Sequence, residues 1–220
     1  MIGAVDLPNI VIKTPEWLAL LTTGVGALEG ALIARQSRSA QLDVVGAFVF
    51  ALFLGLGGGL ARDILLGNDP VVALRTPWYL LVVVVCTGVV LLGSKYMPST
   101  NARSTILLDA ITLGLYAGIG VQYALDFKVS IVGAIIVGLF ASLTGGVVVA
   151  LLRKQTPQII VSGSPYALLA LAGVLTYLAL AQVSGGLASF ACVGIVVTLR
   201  FATLHWRIQT KTVSGKPKES

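Results

Sequence analysis

The sequence predicts an all-α membrane protein with seven transmembrane helices, arranged as two inverted three-helix repeats plus a seventh helix. Three observations carry that expectation. Of the 220 residues, 56% are hydrophobic and only 11% are charged, where soluble domains carry about 25% charged residues. Long apolar runs recur along the whole chain, and a hydrocarbon core of about 30 Å requires about 20 residues per helical span. The chain also aligns with itself at an offset of 87 to 88 positions, which is the mark of an internal repeat.

The apolar runs place spans at 17–34, 42–66, 78–94, 105–125, 129–152, 165–183 and 186–205. Residues 1–16 are then an extracytoplasmic segment, 17–94 the first repeat, 105–183 the second, and 186–205 the seventh span. The tail 206–220 is polar and too poor in apolar residues to build a core, so disorder is expected there. The opening MIGAVDLPNIVIK lacks a basic start followed by a long apolar stretch and a small-residue cleavage site. No removable signal peptide is expected, and the first span serves as the insertion signal.

Seven spans put the termini on opposite faces. Arg35, Arg38, Lys95, Arg103, Arg153, Lys154, Arg200, Arg207, Lys211, Lys216 and Lys218 fall on the C-terminal side, and Lys13, Arg62, Arg75 and Lys128 on the other. Lys and Arg are retained in the cytoplasm during insertion, so the N-terminus is expected outside and the C-terminus in the cytoplasm of a cell-membrane protein. The same scatter of charge over loops accounts for the net +6 without nucleic acid, for which an aromatic-interleaved basic patch is missing. Cys86 and Cys192 lie in apolar segments and read as small buried hydrophobes.

The repeat is specific at three places. Residues 55–70 (GLGGGLARDILLGNDP) align with 142–157 (SLTGGVVVALLRKQTP), Thr76-Pro77-Trp78 with Ser164-Pro165-Tyr166, and 26–30 (GALEG) with 114–118 (GLYAG). Each copy holds three spans, an odd number, so the second must sit upside down relative to the first. Inverted repeats of this kind are characteristic of transport folds.

Gly57, Gly58 and Gly59 stand near the middle of span 2. Each costs about 1 kcal/mol against Ala in a helix, and a glycine cluster allows a kink that turns carbonyls toward a cavity. Close helix packing is the plainer explanation, since Gly55 and Gly59 also satisfy a small-xxx-small pattern. Gly145 and Gly146 repeat the feature in span 5, preceded by Thr144 in place of the first glycine. Two antiparallel helices broken at one depth would frame a central path.

Arg62 and Asp63 follow on the outer half of span 2, where ionisable groups are expensive unless paired or wet. Neighbours on a helix point about 100° apart, so the two need not pair. Arg62 could instead snorkel outward while Asp63 caps a local bend. Glu29 is isolated in span 1 among Gly24, Gly26, Ala27, Gly30 and Ala31. It is either buried between close-packed helices or facing a wet pore, and the pore reading is favoured. Asp43 and Asp109 begin spans 2 and 4, where capping suffices to explain them.

Enzyme machinery is absent from the pattern. His205 is the only histidine and sits beside Trp206 and Arg207 at the end of a span, as an interfacial anchor does. Neither a metal site nor a Ser/His/Asp set can be assembled around it. The run GLGGGLARD lacks the GK[ST] ending of a phosphate loop.

Over residues 17–205 the chain resembles the trimeric intracellular cation (TRIC) channel family in its prokaryotic branch. The resemblance rests on GGGLARDILLGNDP at 57–70, on Thr76-Pro77-Trp78-Tyr79, and on LLDAITLGLYAGIGVQYALDF at 107–127. It implies a homotrimer with a pore in each protomer, and monovalent cation conduction with potassium preferred. It further implies pore lining by glycine-broken second and fifth helices, here Gly57, Gly58, Gly59, Gly145 and Gly146. Related sequences repeat Gly-Gly-x-x-Arg-Asp in the second copy, whereas this chain has Val149 and Ala150 at the charged positions. The inner half of the pore is accordingly expected to be less polar.

The leading expectation is a potassium-permeable channel whose path includes Glu29, Arg62, Asp63, Gly57, Gly58, Gly59, Thr144, Gly145 and Gly146. No resident cofactor is expected. K+ is the permeant ion, membrane lipid is a partner, and a bound lipid stays open. Some members of this broad group are labelled glycine transporters, so the runner-up is a secondary carrier for a small zwitterion such as glycine. A scaffold or lipid-regulated protein is the third class, but it leaves the repeated glycines unexplained. Leu at Gly58 or Gly146 is expected to suppress ion flux while leaving a folded oligomer.

Overall fold

A computed structural model describes residues 16–37, 42–93, 102–161 and 165–208. The expected N-terminal segment as far as residue 15, and the tail from 209 onward, lie outside the described residues. The described chain is all-helical: α1 Glu16–Gln36, α2 Val44–Leu66, α3 Val72–Arg75, α4 Trp78–Leu92, α5 Ala102–Asp126, α6 Ile131–Leu152, α7 Tyr166–Leu180 and α8 Gly185–His205. Every expected span has its helix. The short α3 was not anticipated, because a single turn between Pro70 and Pro77 carries no periodic signal.

By length and hydropathy α1, α2, α5 from Ser104 onward, α6 and α8 can each cross a membrane. The apolar α4 and α7 have 15 residues each, about 22 Å at 1.5 Å rise per residue. Large apolar side chains such as Leu81, Val85, Phe140, Leu175 and Phe190 are exposed on the outside of the bundle, where lipid satisfies them and water would not. The protein is a multi-pass membrane protein.

Local chemistry sets several of the ends. The Asp43 carboxylate accepts the Gly46 N–H at 2.8 Å and caps α2 as expected. Gly67, with φ 64°, ends α2 in the left-handed conformation that glycine adopts without strain. Ser130 caps α6 through the Gly133 N–H. Pro77 and Pro165 precede α4 and α7, where their missing N–H costs nothing.

Two triples organise the packing: α1, α2 and α4 contact one another, and so do α5, α6 and α7. They meet where α2 crosses α6 and α1 meets α5, and α8 lies against α5 and α7. Small residues allow these approaches. Ala27, Ala31 and Ala51 are fully buried, and a Cβ on Gly30 would lie 2.6 Å from the carbonyl carbon of Phe50 on α2. Gly30→Leu is therefore expected to destabilise the protein by about 1–3 kcal/mol or more through overpacking, read as a lower unfolding midpoint in detergent.

The expected glycine breaks are not there. Both α2 and α6 are regular helices straight through Gly57–Gly59 and Gly145–Gly146. The lack of a side chain serves close contact instead. A Cβ on Gly57 would stand 3.3 Å from the Cα of Gly145, and one on Gly145 would stand 3.0 Å from the Phe53 carbonyl oxygen. The two helices thus cross nearly backbone to backbone, the arrangement small residues permit in membranes.

Candidate functional site

At the end of α2 the chain must bury two charges. Arg62 and Asp63 are 4% and 1% exposed, and they do pair: Arg62 Nε donates to Asp63 Oδ1 at 2.8 Å. Asp63 Oδ2 accepts the Val72 N–H at 2.8 Å, tying the loop before α3 to α2. The Arg62 guanidinium lies 3.6 Å from the centre of the Tyr123 ring, a cation–π contact. Arg62 therefore does not snorkel outward, whereas Asp63 does hold a local bend. Burial leaves each charge dependent on the other, which overrides the angular separation of neighbouring helix positions.

In the middle of the bundle, α5 presents Asp109, Thr112 and Tyr116 at helical spacing, so the three share one face. With Glu29 of α1, Gly58 of α2, Ser142, Gly145 and Gly146 of α6 and Tyr166 of α7, they line a space of about 10 Å3. That volume just admits one water-sized particle. The Tyr116 hydroxyl donates to the Gly55 carbonyl. A Cβ on Gly58 would stand 2.7 Å from the Tyr116 ring and would also strike the Ala141 carbonyl.

Asp109 is not a cap. The helix begins at Ala102, so Asp109 lies two turns inside it. Its carboxylate accepts the Tyr166 hydroxyl at 2.6 Å and Arg200 Nη2 at 3.3 Å. Arg200 also donates to Gln158 Oε1 at 2.8 Å, and its guanidinium lies 5.1 Å from the Tyr166 ring centre. Glu29 is only 2% exposed, and its carboxyl accepts a hydrogen bond from the Thr112 hydroxyl.

Three cavities lie in file. The outer one, about 20 Å3, is lined by Thr22, Thr23, Gly59, Arg62, Asp63 and Tyr116 among others. The middle one holds Glu29, Asp109 and Tyr116. The inner one, about 140 Å3, is lined by Glu29, Gln36, Asp109, Arg153, Gln158 and Arg200 with three further residues. The order runs forward along α1, from Ala19 to Gln36, and backward along α5, from Ile119 to Thr105. At 1.5 Å per residue the file extends about 25 Å along α1, most of a hydrocarbon core. Tyr116 separates the outer cavity from the middle one, and Glu29 and Asp109 border both the middle and the inner.

Of the residues singled out in the sequence, Glu29, Gly58, Gly59, Arg62, Asp63, Gly145 and Gly146 line these cavities. Gly57 is buried against Gly145, and the Thr144 hydroxyl donates to Phe140 within α6; neither lines the three. Leu at Gly58 has no room, so it would disturb the α2–α6 crossing rather than leave the fold intact. A Cβ at Gly146 meets only the Tyr166 hydroxyl, at 3.9 Å. Val149 packs in the core, yet the inner cavity is not apolar, because Asp109, Arg153, Gln158 and Arg200 supply its polarity from other elements. Of the aligned charged positions, only those of α2 carried a signal in the repeat. Asp109 and Arg200 had none, since both read as charges at span ends.

The family model described as "Glycine transporter" matches residues 16–95 and 106–182. The inner membrane protein YadS of Escherichia coli is 27% identical over 198 residues, 89% of this chain and 94% of that one. The membrane protein YvgT of Bacillus subtilis is 25% identical over 90% of this chain and 96% of its own length. The TRIC trimeric intracellular cation channel orthologue from Rhodobacter sphaeroides superposes with a TM-score of 0.75 at 29% identity, covering 88% of this chain and 98% of that chain. A TRIC cation channel structure at 22% identity has a TM-score of 0.76 and covers 94% of this chain. The resemblance seen in residues 57–70 and 107–127 thus leads to TRIC channels, which are channels and not enzymes.

Proposed function

The chain belongs to the family described as "Glycine transporter", and we propose that within it this protein is a potassium-permeable cation channel with one ion path per protomer. The observation that carries this reading is the file of three cavities, divided at Tyr116 and again at Glu29 and Asp109. An ion crossing a membrane needs replacement of its water by polar groups along the way, and Glu29, Asp109 and the hydroxyls of Thr22, Thr23 and Ser142 lie along that file. The TRIC fold at 29% identity supports the same assignment.

The finer architecture goes with it: seven crossings, two inverted three-helix halves with α8 outside the repeat, and a homotrimer in the cell membrane. The matching contacts within α1–α2–α4 and α5–α6–α7 support the repeat, as does the match of one family model to two stretches. The basic asymmetry supports an external N-terminus and a cytoplasmic C-terminus. In this account Gly57 and Thr144 act through packing, and the other seven singled-out residues border the path.

A second reading is a carrier for a small zwitterion. The inner cavity favours it by setting the carboxylates of Glu29 and Asp109 near the guanidinium groups of Arg153 and Arg200. Liposomes loaded with purified protein separate the two. A channel gives voltage-driven K+ flux that does not saturate with glycine, and a carrier gives saturable glycine uptake without such currents. Gly146→Leu is expected to reduce K+ flux about tenfold or more by filling the middle cavity, with the oligomer unchanged on size exclusion. Undiminished flux in that variant would remove the α6 glycines from the path.

A further inference from the structure

The inner cavity holds two guanidinium groups, and only one of them meets a carboxylate. Arg200 donates to Asp109 Oδ2 at 3.3 Å and to Gln158 Oε1 at 2.8 Å, while the Glu29 carboxyl accepts from the Thr112 hydroxyl. The ion pairs among the described residues are Arg62 with Asp63 and Arg200 with Asp109, so Arg153 is left without one. Its Nε is buried and meets no hydrogen-bond partner among the described residues. A cation at the C-terminal end of α6 suits the helix dipole and the basic face of the protein, yet neither requires a guanidinium nitrogen to leave water. Buried polar atoms without partners are rare and call for an explanation such as a bound ion.

The lining around Arg153 narrows down that ion. The cavity measures about 140 Å3, against the roughly 10–15 Å3 that one water needs, so it admits a group of several non-hydrogen atoms. Gln36 Nε2 donates to Thr105 Oγ1 at 3.0 Å, and both residues line this space. The amide keeps a second N–H and the hydroxyl keeps its proton, which makes two donors for an anion. Ile33 and Ile106 line the same space and offer an apolar wall to a methyl or methylene group. A planar carboxylate matches the guanidinium fork. A dianion would add a second negative charge beside Asp109, which the one spare guanidinium does not answer.

We infer that the inner cavity binds a short aliphatic monocarboxylate, such as acetate, with its oxygens on Arg153, Thr105 and Gln36 and its methyl group against Ile33 and Ile106. The inference goes beyond the channel reading and also differs from a zwitterion site. An ammonium group would need a carboxylate of its own, and Asp109 is taken by Tyr166 and Arg200 and Glu29 by Thr112.

Thermal unfolding of the purified detergent-solubilised protein tests it, at constant sodium concentration, as chloride is replaced by acetate or as glycine is added. A ligand that binds only the folded state raises the midpoint with its concentration. The expected result is a saturable rise with acetate and none with glycine. Arg153→Gln should weaken the acetate effect about tenfold or more, and Arg153→Lys, which keeps the charge without the fork, several-fold. Lys154→Gln, one position along with an exposed side chain, should leave it unchanged. No rise beyond that in chloride overturns the site, as does a rise with glycine equal to that with acetate. An acetate effect in Arg153→Gln equal to wild type overturns it, and so does an equal loss in Lys154→Gln, which would mark a general response to basic charge. Because flux is not the readout, a protein that binds acetate and passes no K+ keeps the site and loses the channel reading, whereas K+ flux without acetate binding defeats this inference alone.

Discussion

Tyr116→Ala is expected to raise K+ flux about tenfold, which corresponds to lowering the barrier by about 1.4 kcal/mol. The ring of Tyr116 stands between the outer and middle cavities, and its hydroxyl is latched to the Gly55 carbonyl. A constriction too tight for a hydrated ion is closed however polar its two ends are. Removing the ring joins the two spaces, whereas Tyr116→Phe removes only the latch and keeps the obstruction. The Phe variant should therefore stay within about threefold of wild type if sterics set the barrier. Truncating a buried aromatic also costs about 3–5 kcal/mol of stability, so flux must be normalised to folded oligomer recovered in the liposomes. A flux in the Ala variant equal to wild type would move the constriction elsewhere.

The largest expected effect on stability is at Asp63. Asp63→Ala strips Arg62 of its hydrogen-bonded counter-charge at 2.8 Å and orphans the Val72 N–H. Breaking a buried pair from one side costs about 3–5 kcal/mol, mostly because the surviving charge is stranded. The variant should show a sharply lowered unfolding midpoint and poor recovery as an oligomer. The double variant Arg62→Met with Asp63→Ala removes the stranded charge and should regain a good part of the loss. If the double variant is no better than Asp63→Ala, the loop tie to Val72 rather than the ion pair carries the stability, with a cost of about 1–3 kcal/mol for the orphaned N–H.

The sequence carried the helices well and the polar interior only in part. Apolar run length is a property of the local chain, so the spans and the Asp43 cap could be read directly. The glycines of α2 and α6 were located, but the helix breaks expected at them are absent. A residue with no side chain permits both a kink and a close crossing, and only the partner backbone decides between them, here Gly145 against Gly57. Asp109 and Arg200 lie 91 positions apart, and each taken alone looks like an interfacial charge. Their pairing follows from α8 packing on α5, which no local pattern encodes. Glu29, for which the sequence favours a pore-facing carboxylate over a buried one, is nearly inaccessible and borders two cavities.

The central claim is that cations cross the protein along the cavity file. The most direct test is the zero-current potential of the wild-type protein in a planar bilayer under a tenfold KCl gradient. The account predicts a value close to the limit for a purely cation-selective path, about 59 mV per tenfold ratio for a monovalent ion, and a smaller value for Glu29→Gln. A wild-type potential near zero, or one of the sign set by chloride, would contradict it.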